Sequence, residues 1–265
     1  MSRTYEAKAA EGLEQLGLLT ARERLDSVAQ KAAAEKWSFS HFLGYLIDAE
    51  LKEKHQRTVT INTRFAHFPC LKKLEDFDFD AQPSIDPKLV DELATLRFIA
   101  EGRNVVLLGP PGVGKTHLAI ALALKVIEAG QRAYFINAVD MARKLAEATE
   151  RNHLPRLIKN LTKVRLLVLD EVGYLELSKT QASLLFQIIS IRYEAALPII
   201  LTSNKAFGDW ASVFANDHVM ASAALDRLLH KSTILNIRGD SYRLKEKRLA
   251  GININHEQID QKPTN

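Results

Sequence analysis

Gly109-Pro110-Pro111-Gly112-Val113-Gly114-Lys115-Thr116 fits the spacing G-x-x-x-x-G-K-[ST], and its flanks fit as well. The apolar run Asn104 to Leu108 precedes it, and the helix-forming stretch His117 to Lys125 follows it. A strand, a glycine-rich turn and a helix in that order make a phosphate cradle. The glycines let consecutive backbone N–H groups turn toward one anion without a Cβ in the way. The helix start adds unpaired N–H donors and the positive end of its dipole. Lys115 then reaches the β- and γ-phosphates of a nucleoside triphosphate while the Thr116 hydroxyl ligates Mg²⁺. Residues 109–117, with His117 at the helix start, are the expected nucleotide-binding element. A chance glycine-rich turn is the competing reading, and matching parts downstream weigh against it.

Outward from this loop, strands and helices alternate. Strands are expected at Arg132 to Asn137, Leu166 to Val172, Pro198 to Asn204 and Ser232 to Arg238. Helical patterns fall at 139–150, 154–161 and 180–193, and again up to His230. This alternation implies an α/β fold in which a parallel sheet is sandwiched by helices. Upstream of the loop strand, Asp86 and Pro87 supply an N-cap and first-turn proline for a helix bearing Leu89, Leu93, Leu96 and Ile99. The expected organisation is a small all-helical domain at 1–69, a linker at 70–87 holding the acidic run Glu75 to Asp80, and the α/β domain at 88–265.

The first 69 residues carry only helical periods. One helix covers Leu19 to Trp37, with Leu25, Val28 and Ala32 on one face. A second, capped by Ser38 or Ser40, places Phe42, Leu43, Leu46, Ile47 and Leu51 in one stripe, with Glu50/Lys54 and Glu53/Arg57 as i,i+4 pairs. Its polar side gathers Lys52, Lys54, Arg57 and Arg64, a candidate DNA-binding face.

Composition sets bounds. At 265 residues with 46% hydrophobic side chains, the chain can hold one full α/β domain and a smaller module. Its 36 Lys+Arg exceed 32 Asp+Glu by only four, but a pI near 9.0 suits an anionic partner where the charge clusters. The lone Cys70 excludes an internal disulfide and a cysteine-rich zinc module, and fits a reducing compartment. The eight histidines lack ligand spacing for a protein-held metal. No signal peptide and no apolar window of about 18 residues is present, so a cytoplasmic, non-membrane protein is expected.

The run Leu166-Leu167-Val168-Leu169-Asp170-Glu171 is apolar until its last two residues. A strand apolar on both faces is internal to a parallel sheet, and ligands of such sheets sit at its C-terminal end. Asp170 can there hold Mg²⁺, usually through water, and Glu171 can polarise the water that attacks the γ-phosphate. The competing reading is a solvated acidic pair. Pro198 to Asn204 repeats the pattern with a neutral ending: next to the Asp170 strand, Asn204 can orient the attacking water, or it only caps the turn before Phe207. Arg227 can stabilise transition-state charge on a neighbouring subunit's γ-phosphate, or pair within its own helix with Asp226. From Met141 to Arg165 seven basic residues face two acidic ones, and Arg151, Arg156 and Lys159 are candidate DNA contacts; a solvated helix face is the alternative.

With these residues in view, the chain resembles the AAA+ ATPases of the IstB/DnaC group, most nearly the transposition helpers of insertion sequences. The resemblance covers nearly the whole length. It rests on Gly109 to Ala119, Leu167 to Glu171, Thr202-Ser203-Asn204, Asp226-Arg227-Leu228, Lys73 to Phe79 and the ending Ile237 to Arg243. It implies ATP and Mg²⁺ as ligands, a Walker A loop, Asp170 and Glu171 as the Walker B pair, Asn204 as sensor 1 and Arg227 as an arginine finger in trans. It further implies a bacterial homo-oligomer with ATP sites between subunits, assembled on double-stranded DNA and assisting a transposase. In the initiator branch an extra helix after the second strand touches DNA, where the 141–165 stretch falls. The stretch after Arg238 is too short for the usual helical lid with a sensor 2 arginine, and Arg243 is a weak substitute. A replicative helicase loader is the alternative within the group. A small-molecule kinase and a non-catalytic ATP-dependent DNA scaffold are alternatives from other classes.

Overall fold

The computed structural model describes residues 2–174, 176–239 and 241–242. Arg243, Asp240 and the rest of the C-terminal stretch lie outside the described residues. The chain divides into two compact units, Met1–Ile61 and Asn62–Asn265, and the division falls inside a long helix.

The first unit is helical: α1 Ser2–Gln15, α2 Leu19–Ala34 and most of α3 Phe39–Phe65. The Ser38 hydroxyl accepts from His41 N–H at 3.2 Å, which identifies Ser38 and not Ser40 as the cap of α3. Ala21, Val28 and Leu46 form a small core, with Leu13, Leu25, Trp37 and Phe42 against it. The expected apolar stripe of α3 is split. Leu46 is buried and Phe42 packs, whereas Leu43, Ile47 and Leu51 are about half exposed. Glu50 also departs from expectation. It is buried and accepts the Ala21 N–H at 2.9 Å, capping α2 from a distance where Leu18 offers no side-chain oxygen. Arg57 does pair with Glu53, at 3.2 Å.

In the second unit, α4 Pro87–Ala94 starts at Asp86, whose carboxylate accepts from Lys88 N–H at 2.9 Å. The helix expected to continue to Ile99 instead breaks, and α5 Arg97–Ala100 restarts after Leu96 at φ 63°. Thr95 is the physical reason: its hydroxyl donates to Glu92 O at 2.6 Å and accepts from Arg97 N–H at 3.4 Å, competing with the helical ladder. Then follow β1 Asn104–Leu108, α6 Lys115–Glu128, β2 Ala133–Asn137, α7 Ala138–Glu150, α8 Leu154–Lys163, β3 Leu166–Val172, α9 Lys179–Glu194, β4 Ile199–Ser203, α10 His218–Leu229 and β5 Ser232–Asn236.

The five strands are all parallel in the order β2-β3-β4-β1-β5. The inner strands β1, β3 and β4 are buried along nearly their whole length, as expected for runs of Val, Ile and Leu covered on both faces. Helix α6 is apolar all round, and Leu118 to Leu124 are buried without interruption. Two buried polar side chains tie the sheet's lower end. Asn104 donates to Leu228 O at 2.9 Å and accepts from Ile199 N–H at 2.8 Å. Arg192, fully buried on α9, donates to the carbonyls of Leu161, Val164, Arg165 and Pro198 at 2.8–3.3 Å. Burial, and to a lesser degree Arg165, pushes the Arg192 guanidinium down to about 9, so it stays a cation at neutral pH.

Candidate nucleotide site

The phosphate loop leaves β1 at the C-terminal end of the sheet, where α/β folds place their ligands. Gly109 N–H donates to Ser203 O at 3.1 Å, and Ile237 N–H to Leu108 O at 2.7 Å, so β4 and the stretch after β5 grip the loop from both sides. Gly114 sits at φ 97°, with a virtual Cβ only 2.7 Å from Phe77 Cε2. Gly112, at φ 82°, lies against Ser241, and Tyr242 N–H donates to Gly112 O at 2.9 Å. These glycines serve close approach of neighbouring chain as well as the anion. Lys115 is buried at 8% exposure, and its ammonium donates to Gly109 O and Pro110 O at 2.7 Å, inside the loop's own curl.

The carboxylates lie two strands away, and α6 carries the loop to them. Thr116 Oγ1 donates to the Asp170 carboxylate at 3.0 and 3.1 Å from its two oxygens. Asp170 is 4% exposed. Two oxygen donors of this kind fit a magnesium ion that keeps several of its waters, so Thr116 and Asp170 would hold it. Thr202 Oγ1 lies 2.6 Å from Asp170 Oδ1, and Glu171 N–H donates to Thr202 Oγ1 at 2.9 Å. Glu171 has φ 59°, a rare backbone state for glutamate. Asn204 is exposed just beyond β4, whose neighbour is β3.

Residues 111–117 with Glu171, Thr202 and Asn204 line one cleft of about 450 Å³, a volume ordinary for a small-ligand site. The opposite wall comes from the 70–87 stretch through Cys70, Lys72, Asp76, Phe77, Asp78 and Gln82. That wall is anchored. His117 Nε2 is 2.8 Å from Lys73 O, Phe77 meets the His117 ring edge-on at 5.1 Å, and Lys125 bonds Glu75 at 2.9 Å. The ammonium of Lys125 holds the Glu75 carboxyl below its ordinary range. Sequence reasoning missed Phe77, Thr202 and Tyr242 as parts of the site. A phenylalanine inside an acidic run and a hydroxyl inside an apolar strand were the available signals.

Arg227 stands apart from its own chain's cleft. Its guanidinium donates to Ala223 O at 3.0 Å and lies over the Phe186 ring at 4.9 Å. The candidate DNA residues are all surface groups. Lys52, Lys54, Arg57 and Arg64 are exposed on α3, and Arg151, Arg156 and Lys159 on and before α8. Helix α8 is sharply two-sided, packing Leu154, Leu157 and Leu161 on the core. Among the described residues, no carboxylate pairs with Arg151, Arg156, Lys159 or Lys163, whereas Arg143 is taken by Asp140 and Glu147. A second, shallower groove of about 580 Å³ at the other end of the sheet is rimmed by Arg132, Lys163 and Arg165. It has no phosphate loop.

Similarity to known proteins bears on the same residues. A family model described as IstB-like ATP binding protein matches residues 11–250. The chain belongs to this family. Within the IstB-like family, the chain is 49% identical over 228 residues to a Pseudomonas aeruginosa protein named for ATP binding in insertion sequence IS21, covering 86% of this chain and 85% of that one. It is 45% identical over 227 residues to a counterpart from insertion sequence IS5376 of Geobacillus stearothermophilus, covering 86% and 90%. Among solved structures, AMPPCP-bound DnaA from Aquifex aeolicus aligns with a TM-score of 0.53 at 22% identity, over 71% of this chain and 58% of that one. DnaI aligns with a TM-score of 0.54 at 23% identity, over 63% and 90%. These two show that the chain shares the α/β fold of DnaA and DnaI, and family membership establishes an ATP-binding protein of the IstB type.

Proposed function

We propose that the protein is a Mg²⁺-dependent ATPase of the bacterial cytoplasm that assembles as a homo-oligomer on double-stranded DNA and assists a partner transposase. Hydrolysis is carried by the convergence of Lys115, Thr116, Glu171 and Asn204 on one cleft, with the buried Asp170 hydrogen-bonded to Thr116. In this reading Gly109 to His117 cradle the phosphates, with Lys115 turning from the loop carbonyls toward them. Thr116 and Asp170 hold the cation, which would neutralise the developing charge. Glu171 accepts a proton from the attacking water, and Asn204 orients it. Arg227 completes the site of an adjacent subunit, which fits its placement away from its own cleft. The cations exposed on α8, which no described carboxylate pairs, suit a phosphate backbone, and α3 exposes a set of its own. The insertion-sequence names of the relatives support a transposase as partner.

The test is ATP turnover with and without duplex DNA, for the wild type and Glu171→Gln. Expected are DNA-stimulated phosphate release, ATP-dependent assembly, and a variant that binds ATP and assembles but does not turn over. Absence of turnover under every condition contradicts hydrolysis, and transposition unimpaired by Glu171→Gln would identify a scaffold. Recovery of the replicative helicase without transposase from cells would identify a loader.

A further inference from the structure

We propose that Thr202 is a positioning residue of the ATPase site: its hydroxyl clamps a β-bulge that turns Glu171 toward the nucleotide and holds Asp170 for the cation. Successive residues of a flat strand face opposite sides of the sheet, so neighbours Asp170 and Glu171 could not both serve one cleft. The register shows how they do. Leu169 pairs with Leu201 and Val172 with Ser203, so β3 advances three residues while β4 advances two. Asp170 and Glu171 together oppose Thr202, which is a bulge, and bulges re-aim side chains beside active sites. Glu171 takes up the turn at φ 59°.

A bulge leaves backbone groups without ladder partners, and Thr202 supplies one. An ionised carboxylate only accepts, so at 2.6 Å the Thr202 hydroxyl hydrogen points to Asp170 Oδ1. Its lone pair therefore faces Glu171 N–H, which donates at 2.9 Å. One hydroxyl thus fixes both acidic residues, and being fully buried it cannot be replaced by water without rearrangement. Thr116 meets the same Asp170 Oδ1 at 3.0 Å, so the carboxylate is held between the phosphate loop and β4. Valine at 202 keeps the shape and removes both bonds. Serine keeps both.

This inference rests on the hydrolysis reading, and its experiment separates the two. Thr202→Val and Thr202→Ser are compared with wild type for turnover, for binding of a fluorescent ATP analogue without Mg²⁺, for the Mg²⁺ concentration that half-saturates its effect on that binding, and for Tm. For Thr202→Val, kcat should fall about ten- to hundredfold, the span of a lost hydrogen bond to a charged group. Its Mg²⁺ half-saturation should rise several-fold while metal-free analogue binding stays within about twofold. Thr202→Ser should recover most of both. Wild-type turnover in Thr202→Val, a serine variant as impaired as valine, or equal loss of metal-free binding and Tm would overturn the positioning role. A wild type that does not hydrolyse ATP sinks the hydrolysis reading alone, because the Mg²⁺ response still tests Thr202.

Discussion

Substitution of Gly114 by alanine probes the loop and its covering wall together. At φ 97°, alanine takes on left-handed strain of about 1–2 kcal/mol. The added Cβ meets Phe77 Cε2 at 2.7 Å and Cζ at 3.0 Å, so the ring must retreat by several tenths of an ångström to reach ordinary contact. The ring is not free to do so cheaply, because Phe79 lies 4.9 Å and His117 5.1 Å from its centre. Overpacking of this kind adds about 1–3 kcal/mol, for a total near 3 kcal/mol. In a unit of this size that lowers Tm by roughly 6–12 °C. Removing the obstructing ring separates the two parts: in Gly114→Ala/Phe77→Ala the clash is gone and only the strain remains. A double-mutant cycle should then give a coupling of about 1–2 kcal/mol in the direction of rescue. Thermal unfolding and fluorescent ATP-analogue binding are the assays. Additive losses, or a Gly114→Ala protein as stable as wild type, would refute the account of Phe77 as the loop's wall.

Three further outcomes follow from particular contacts. Arg192→Leu leaves four interior carbonyls without their donor and should cost about 4 kcal/mol, lowering Tm by roughly 8–16 °C; a small loss would show that those carbonyls find water. Arg156→Ala/Lys159→Ala should reduce the slope of log K for duplex DNA against log salt by about 2 if both groups meet phosphates, and leave it unchanged if the α8 face is only solvated. The Glu75–Lys125 contact has a defined pH window. Glu75 is lowered, so its contribution is present above its ordinary value and lost as pH falls through the lowered one. Lys125 is raised, so its contribution is present below its ordinary value and lost as pH rises through the raised one. The Tm difference between wild type and Glu75→Gln should hold from about pH 5 to 10 and shrink progressively as pH falls from the ordinary carboxylate range through the lowered Glu75 one, as unfolding curves would record.

The strands were legible because each is a short apolar run ending in polar residues. Asn104 to Leu108 and Leu166 to Val172 occupy the positions that their sequences imply. Local chemistry also gave the cap at Asp86 and narrowed that of α3 to Ser38 or Ser40, of which Ser38 accepts the bond. What escaped was decided by distant partners. Glu50 has the spacing of a surface ion pair but is drawn inside by the uncapped start of α2. Leu96 extends an apolar period, yet Thr95 breaks the helix before it. In the site, the one-dimensional motif supplied Gly109 to Thr116 and Asp170 to Glu171. Phe77, Thr202 and Tyr242 reach the site only through the fold: Phe77 from the anchored 70–87 stretch, Thr202 from the strand beside Asp170 and Glu171, Tyr242 from beyond β5. A periodicity cannot register a hydroxyl that bridges two strands.

The proposed ATP site completed between subunits on DNA is open to a complementation assay. Lys115→Ala removes the phosphate-loop cation, and Arg227→Ala removes the group proposed to act on a neighbour. Each variant alone should be nearly inactive with duplex DNA present. Mixed, they should regain DNA-stimulated turnover, because Arg227 of a Lys115→Ala subunit can serve the intact loop of an Arg227→Ala subunit. A mixture as inactive as its components, with both variants folded and assembled, would contradict the shared site.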